Sequence, residues 1–445
     1  MVQALAVSIV KLVKVGCAMS RFRWLSLVGC ALISVAVLHA QDTAADRTRR
    51  PDAAGLSSDE RIAQYEKLLK ETPGNPRVQA GLASAFIQKL RETTDFAYLN
   101  RATAIVDNML AVDPQSYDGI RLSAEIETHR HNFPKAAELA AALVERNPSD
   151  TGALGMLGDS LMELGKYDAA GDAYQRMLAL RPNLASYNRI AYYRFVTGNS
   201  QEALAWMAAA VESGSPTSEN LAWCLVEFGD MLNKTGHTAD AHQAYQTALQ
   251  ILPGYHRAYG ALGRESMATG EFEKAASEFE KAQAVIPLPD YIGPLEMIYS
   301  KLGKLVQAKQ QRDLLDVIDK LGRTNGEKGN RALAMIYADA DRNLDRALEL
   351  AQGELTTRKD VYAYDALSWV LFRLGRQKEA EEASQKALVL HTPEPMFLYH
   401  AGMIAIGGGQ GEAGRELLKR ALALNPGFSY PQALNSKREL ESAEE

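Results

Sequence analysis

The chain has 445 residues, 47% of them hydrophobic and 23% charged, with a formal net charge of −6; this is the composition of an ordered protein and excludes a disordered chain. All the basic residues of the first forty (Lys11, Lys14, Arg21, Arg23) lie where there is no acidic residue, so the rest is the more acidic part, which weighs against a nucleic-acid binder. Only Cys224 of the three cysteines lies beyond residue 40; a mature chain then has no intrachain disulfide, and Cys224 reads as a small buried hydrophobe, with an intermolecular bridge as the alternative.

Arg21 and Arg23 precede an apolar run, Trp24 to Ala40, that ends Leu-His-Ala-Gln-Asp. A basic flank, an apolar segment and a small residue before a polar stretch predict a secretory signal peptide over 1–40, cleaved after Ala40. The run falls short of the roughly 20 residues of a spanning helix. Met19 is an alternative start, Leu27-Val28-Gly29-Cys30 resembles a lipoprotein cleavage box, and an uncleaved membrane anchor is a third possibility. These readings place the protein outside the cytoplasm, in the periplasm or cell envelope. Residues 41–57 lack apolar periodicity and read as a flexible linker.

From residue 58 the chain is helical by pattern. Thr151–Pro182 is the clearest unit: Leu154, Leu157, Leu161 and Leu164 recur at helical spacing, Gly165 interrupts, and Ala170, Tyr174, Met177 and Leu178 form a second face that Pro182 ends. Closing prolines recur every thirty-four residues at Pro114, Pro148 and Pro182, and again at Pro253 and Pro287. Small residues keep the same register: Ala136, Ala170, Ala241 and Ala275 lie twelve before the proline, and Gly158, Gly229 and Gly263 twenty-four before it. Period and register resemble tetratricopeptide repeat proteins over about 58–426. The resemblance implies an all-α solenoid of about ten stacked helix-turn-helix units forming a right-handed superhelix.

A lone helix is expected at 58–72, then a unit at 76–114 with an insertion around Thr93–Asn100. Units follow at 117–148, 151–182, 184–216, 219–253, 256–287 and 289–320. A long connection over 321–330 separates this part of the array (58–320) from a second (331–427), with units at 330–357, 361–392 and 395–426. A charged tail, 428–445, closes the chain, fraying apart from a short helix. Ser215-Pro216, Glu219-Asn220, Ala222-Trp223, Ile286-Pro287, Pro289-Asp290-Tyr291 and Tyr399-His400-Ala401-Gly402-Met403 also resemble a narrower group of exported bacterial repeat proteins.

Motifs that carry chemistry are weak. Gly409-Gln410-Gly411-Glu412-Ala413-Gly414 matches a dinucleotide fingerprint, but it follows a helix where the mechanism needs a strand. Asp339 to Asp345 begins like a calcium loop, yet Leu344 and Leu350 stand where glycine and glutamate are required, and the aspartates are expected to cap the next helix. Glu125, His129 and His131 fall short of a zinc set and read as a solvated helix end. No catalytic residue, cofactor or metal is expected.

The family's geometry implies that the second, fifth, ninth and twelfth residues of each first helix face a concave groove. Those positions give Asn188, Tyr192 and Phe195 (with Ala185), then Trp223, then Tyr362, Asp365, Trp369 and Phe372, and finally Met396, Tyr399, Met403 and Ile406, with His400 beside them. Aromatic and methionine side chains exposed there would anchor a protein or peptide partner; the competing reading packs them between neighbouring first helices. The leading expectation is a non-catalytic scaffold outside the cytoplasm. The alternatives are a self-associating array, and an enzyme or ligand-regulated module with an unannounced site.

Overall fold

The structure is a computed structural model that describes residues 56–215 and 219–442. The signal and lipidation readings, the linker up to residue 55 and Pro216 lie outside the described residues. Among the described residues there are twenty-two helices and no strand, an all-α solenoid. No helix among them is long and apolar enough to cross a membrane.

The chain divides into two compact units at Val112. The first holds Ser58–Glu71 (α1), Pro76–Thr93 (α2) and Phe96–Val112 (α3). Ser57 opens α1 with a capping box to Glu60, the reciprocal arrangement that satisfies two orphan amides. The expected insertion at 93–100 is absorbed by lengthening both α2 and α3, which meet at a left-handed Thr94 (φ 58°). Arg101 covers the Phe86 ring at 4.0 Å.

The second unit is a run of helical hairpins. Tyr117–His129 (α4) pairs with Phe133–Arg146 (α5), Thr151–Glu163 (α6) with Tyr167–Leu180 (α7), Leu184–Val196 (α8) with Ser200–Glu212 (α9), and Glu219–Lys234 (α10) with Thr238–Ile251 (α11). His256–Ala268 (α12) pairs with Phe272–Val285 (α13), Pro289–Lys301 (α14) with Leu305–Thr324 (α15), and Arg331–Asp339 (α16) with Leu344–Glu354 (α17). Val361–Arg373 (α18) with Gln377–Leu388 (α19), and Pro395–Gly407 (α20) with Gly411–Leu424 (α21), complete the array, and Gln432–Glu441 (α22) follows. The connection expected at 321–330 is shorter than its composition suggests, because α15 continues to Thr324. The short helix expected in the tail is α22, Gln432–Glu441.

The register glycines admit aromatic rings. A Cβ on Gly158 would collide with Tyr174, one on Gly229 with Tyr245, and one on Gly263 with Phe279 at 2.9 Å. The tyrosine hydroxyls then donate to the aspartate after each glycine, Tyr174 to Asp159 at 2.9 Å and Tyr245 to Asp230 at 2.8 Å. An arginine from the next first helix closes each group: Arg189 to Asp159 at 2.7 Å and Arg264 to Asp230 at 3.0 Å. One aspartate thus ties its own hairpin to the next.

Stacking on neighbours is not the only packing in this unit. Its curvature brings early turns against late connections, at sequence separations of 192 to 196 residues. Lys359 N–H donates to the Glu163 carbonyl at 2.7 Å and Val361 N–H to the Tyr167 hydroxyl at 2.9 Å. Thr392 donates to the Val196 carbonyl at 2.6 Å, and Asn425 to the Asn233 carbonyl at 2.7 Å. Arg358–Glu163 (2.6 Å) and Lys234–Glu394 (2.7 Å) add ion pairs, while Val361 and Phe397 pack with Tyr174, Ile190 and Val196. The α8–α9 and α10–α11 turns reach this seam through Gly198 (φ 87°) and Gly236 (φ 84°). Each is in the left-handed region, and a Cβ there would meet the carbonyl of Leu390 at 2.9 Å or of Leu424 at 2.7 Å. We refer to this contact as the seam.

Candidate functional site

Inside the closed turn lies a cavity of about 1180 Å³. Its wall comes mainly from first helices: Asp230 and Lys234 of α10, Arg257 and Arg264 of α12, Glu296 and Met297 of α14, Arg331 and Met335 of α16, Tyr362 and Trp369 of α18, and Met396 and His400 of α20. First helices line the inside because each hairpin packs its second helix outward, so consecutive first helices are side by side along the curve.

Most charge on this wall is paired, on the wall or just behind it. Lys234 binds Glu394, Arg264 binds Asp230, and Glu296 is held by Arg312 (2.8 Å) and Arg342 (2.7 Å). Arg257 is exposed and makes no ion pair among the described residues. Met267, Met297, Met335 and Met396 stand between the charges. Unbranched thioether side chains adapt to differing apolar shapes.

The sequence-predicted residues divide into two groups. Tyr362, Asp365, Trp369, Tyr399 and His400 line the cavity; Asn188, Tyr192, Phe195, Trp223, Phe372 and Met403 do not. Phe195 is 2% exposed and Asn188 9%, with the Asn188 amide 3.5 Å from the Cys224 sulfur. Burial pushes the Cys224 thiol up to about 12, so it packs as a neutral group. Tyr192 lies with Tyr362 and Phe397, and Trp223 against the core around Phe228. The expectation that the inner positions of α8 are exposed is corrected by packing: Asn188 and Phe195 are covered by the neighbouring α10 and its core, and Tyr192 by Tyr362 and Phe397 at the seam. Phe372 stacks on Trp369 at 5.4 Å, and Met403 is half-buried in the same cluster. Trp369 and Tyr399, each 3% exposed, are wall residues held by packing, with only an edge toward the cavity.

Asp365 and His400 form the one buried acid–base pair on this wall that the sequence singled out. His400 Nδ1 lies 2.9 Å from Asp365 Oδ2, its ring stacks on Trp369 at 4.5 Å, and it is 1% exposed. Burial alone would lower its pKa, but Asp365, Asp339 and Glu394 together raise it. The protonated form is therefore favoured in the folded state. A raised folded pKa gives stability that is complete below the ordinary value of 6.5 and is lost as pH rises through the folded value. The advantage of the native chain over His400→Gln in thermal unfolding is expected to shrink as pH rises above 6.5; a constant difference would contradict the charged pair.

Asp339 accepts from Trp369 Nε1 at 2.8 Å and from Gln432 at 3.3 Å, and burial raises its pKa. The helix-capping role expected for this stretch is not seen: Asn343 is the residue before α17, with φ 49° and no side-chain cap, and Asp341 pairs with Arg373 at 3.4 Å. Gly409 to Gly414 is the α20–α21 turn and its helix start, with Gly409 at φ 82°. Of the histidine group, His131 reaches the cavity, and burial with the nearby Arg358 lowers it to about 4. Among the described residues no three of His, Cys, Asp and Glu converge as metal ligands. The charged wall residues Arg257, Arg331 and Arg358 were missed in the sequence. Arg264 and Asp230 had a signal there, the repeated Gly-Asp pair with an arginine one repeat later.

Comparison with known proteins agrees with this geometry. Family models described as tetratricopeptide repeat match residues 129–185, 182–254 and 256–287. A curated relative, aspartyl/asparaginyl beta-hydroxylase of Mus musculus, is 23% identical over 194 residues, which is 42% of this chain and 26% of that protein. The chain therefore spans about a quarter of that relative's length. Among solved structures, the APC/C hetero-tetramer Cut9–Hcn1 is similar at 16% identity over 86% of this chain and 67% of that one (TM-score 0.47). PilW, a type IV pilus biogenesis factor, is similar at 19% identity over 46% and 93% (TM-score 0.39). A thermophilic tetratricopeptide-repeat protein of Thermus thermophilus is similar at 21% identity over 39% and 90% (TM-score 0.33).

Proposed function

The chain is a tetratricopeptide-repeat protein, and on that premise we propose that it is a non-catalytic scaffold, exported from the cytoplasm, that holds a protein or peptide partner on the inner wall of its second unit. The observation that carries the reading is the composition of that wall. Paired charges, four methionines and aromatic edges surround a cavity larger than the roughly 300–1,000 Å³ of common small-molecule pockets. Such a surface offers apolar anchors beside oriented polar groups, which suits a peptide chain better than a single compact metabolite. Export rests on the basic-then-apolar pattern of residues 21–40. The non-catalytic reading rests on the repeat architecture and on a buried dyad, Asp365–His400, with no nucleophile assigned beside it.

The test is a capture experiment from an envelope extract with the full chain and with an Arg257→Ala/Met297→Ala variant. Both positions face the cavity, and Arg257 is exposed, so the fold is expected to tolerate the change. Proteins retained by the native chain are expected to fall at least tenfold with the variant. Recovery of the same set at the same level would remove the inner wall from the function.

A further inference from the structure

Part of the inner wall is already occupied by the chain itself. Residues 428–432 and Asn435, from the turn after α21 into the first turn of α22, line the same cavity as α18 and α20. Phe428 meets Tyr399 at 6.2 Å, Tyr430 stands edge-on to Phe272 at 5.0 Å beneath the Lys301 ammonium (5.4 Å), and Gln432 donates to Asp339 at 3.3 Å. The segment is a turn that leads into α22, and these three side chains supply two rings and a carboxamide to the wall.

The seating is imperfect. α22 buries only Gln432, Ala433 and Ser436, all small or polar, and leaves Leu434 38% exposed. A second, open cleft of about 290 Å³ lies beside the segment, lined by Phe272, Lys301, Tyr430, Ala433 and Lys437 among others. The Gln432–Asp339 bond is also long. A segment with little apolar burial and an open cleft at its side is held weakly compared with the hairpins it touches.

We propose that residues 428–441 are a replaceable occupant of the inner wall, and that the partner displaces them with a peptide of the same chemistry: two aromatic side chains two residues apart, followed two residues later by a carboxamide. This rests on the reading of the inner wall as the partner site. Asp339 is the acceptor for the carboxamide, the edge of Phe272 and the Lys301 ammonium receive the second ring, and Tyr399 receives the first. Until a partner arrives, the chain shields its own wall.

The experiment uses a fluorescent peptide with the sequence of residues 426–442 as the probe, and full-length chains as receptors. The native chain is expected to bind it weakly, because the site is filled. A chain carrying Tyr430→Ala and Gln432→Ala is expected to bind it at least tenfold more tightly and to lose hydrogen-exchange protection over 432–441. A peptide with the same two alanines is expected not to bind, and Leu434→Ala, at an exposed position, is expected to leave the native behaviour unchanged. Equal affinity of the two chains for the peptide, equal binding of the alanine peptide, or undiminished protection of 432–441 in the double variant would each overturn the proposal. No partner protein enters this measurement, so its result is separable from the capture experiment.

Discussion

Replacing Gly158 with alanine is expected to lower the stability of the second unit by roughly 3 kcal/mol, although alanine is the better helix former by about 1 kcal/mol. The added methyl group falls within the ring of Tyr174, 2.6 Å from Cδ1 and 2.9 Å from Cζ. That ring is fully buried and packs edge-on to Tyr193 at 6.4 Å. It cannot yield without leaving its hydrogen bond to Asp159. Overpacking a core costs about 1–3 kcal/mol, and a displaced hydroxyl adds about 1 kcal/mol; together they outweigh the propensity gain. Gly229→Ala should behave alike, because Tyr245 and Asp230 repeat the arrangement. Gly263→Ala should cost less, since Phe279 has no hydroxyl to strand. Gly411→Ala, where the new methyl group meets only the mobile end of Arg415, should be neutral or stabilising. Urea unfolding of the four variants checks the order, and a Gly158→Ala chain as stable as the native one would refute the packing argument.

These register positions show what a single sequence makes legible. A glycine twenty-four residues before Pro182, Pro253 and Pro287 and an aromatic residue eight before each of them are a local, repeated pairing, visible as a period. Hairpin boundaries follow from the same period, and so does the side of each first helix that turns inward. The seam has no such signature. Glu163 and Arg358, or Val196 and Thr392, are brought together by curvature accumulated over many hairpins, and nothing in either stretch names the other. That is why Tyr192 reads as a groove residue and is found against Tyr362 and Phe397, while Asn188 and Phe195 are covered by the neighbouring α10. It is also why Arg257 and Arg331 drew no notice: a charge on an inner face looks like any solvated charge until the turn encloses it. Residues 428–441 read as a charged tail because their burial uses glutamine, serine and alanine, which carry little hydrophobic pattern.

The seam sets the second large expectation, which concerns Arg358. Its guanidinium donates to Glu163 at 2.6 Å across the seam and to Glu354 at 2.7 Å on its own side, over the Phe133 ring at 4.9 Å. Arg358→Ala strands two carboxylates, of which Glu354 is buried and Glu163 under a third exposed. Removing one partner of a buried pair costs about 3–5 kcal/mol; partial exposure of Glu163 places the expected loss near the lower end at pH 7. Burial holds the Glu163 and Asp360 carboxyls above their ordinary range even with the arginine present. A carboxyl raised in the folded state contributes stability below its unfolded value, 4.5 for glutamate, and loses it as pH rises through the folded value. Without Arg358 that rise is larger, so the deficit of the variant should shrink as pH falls from 7 toward 5. A deficit independent of pH would mean that the carboxylates are solvated and the seam is loose. The variant should also unfold less cooperatively. An array held only by nearest neighbours melts by parts, whereas contacts between residues 192 to 196 apart oblige distant hairpins to unfold together. The native second unit is therefore expected to show one urea transition and Arg358→Ala a broader or divided one, with exchange protection lost first over α17 to α19.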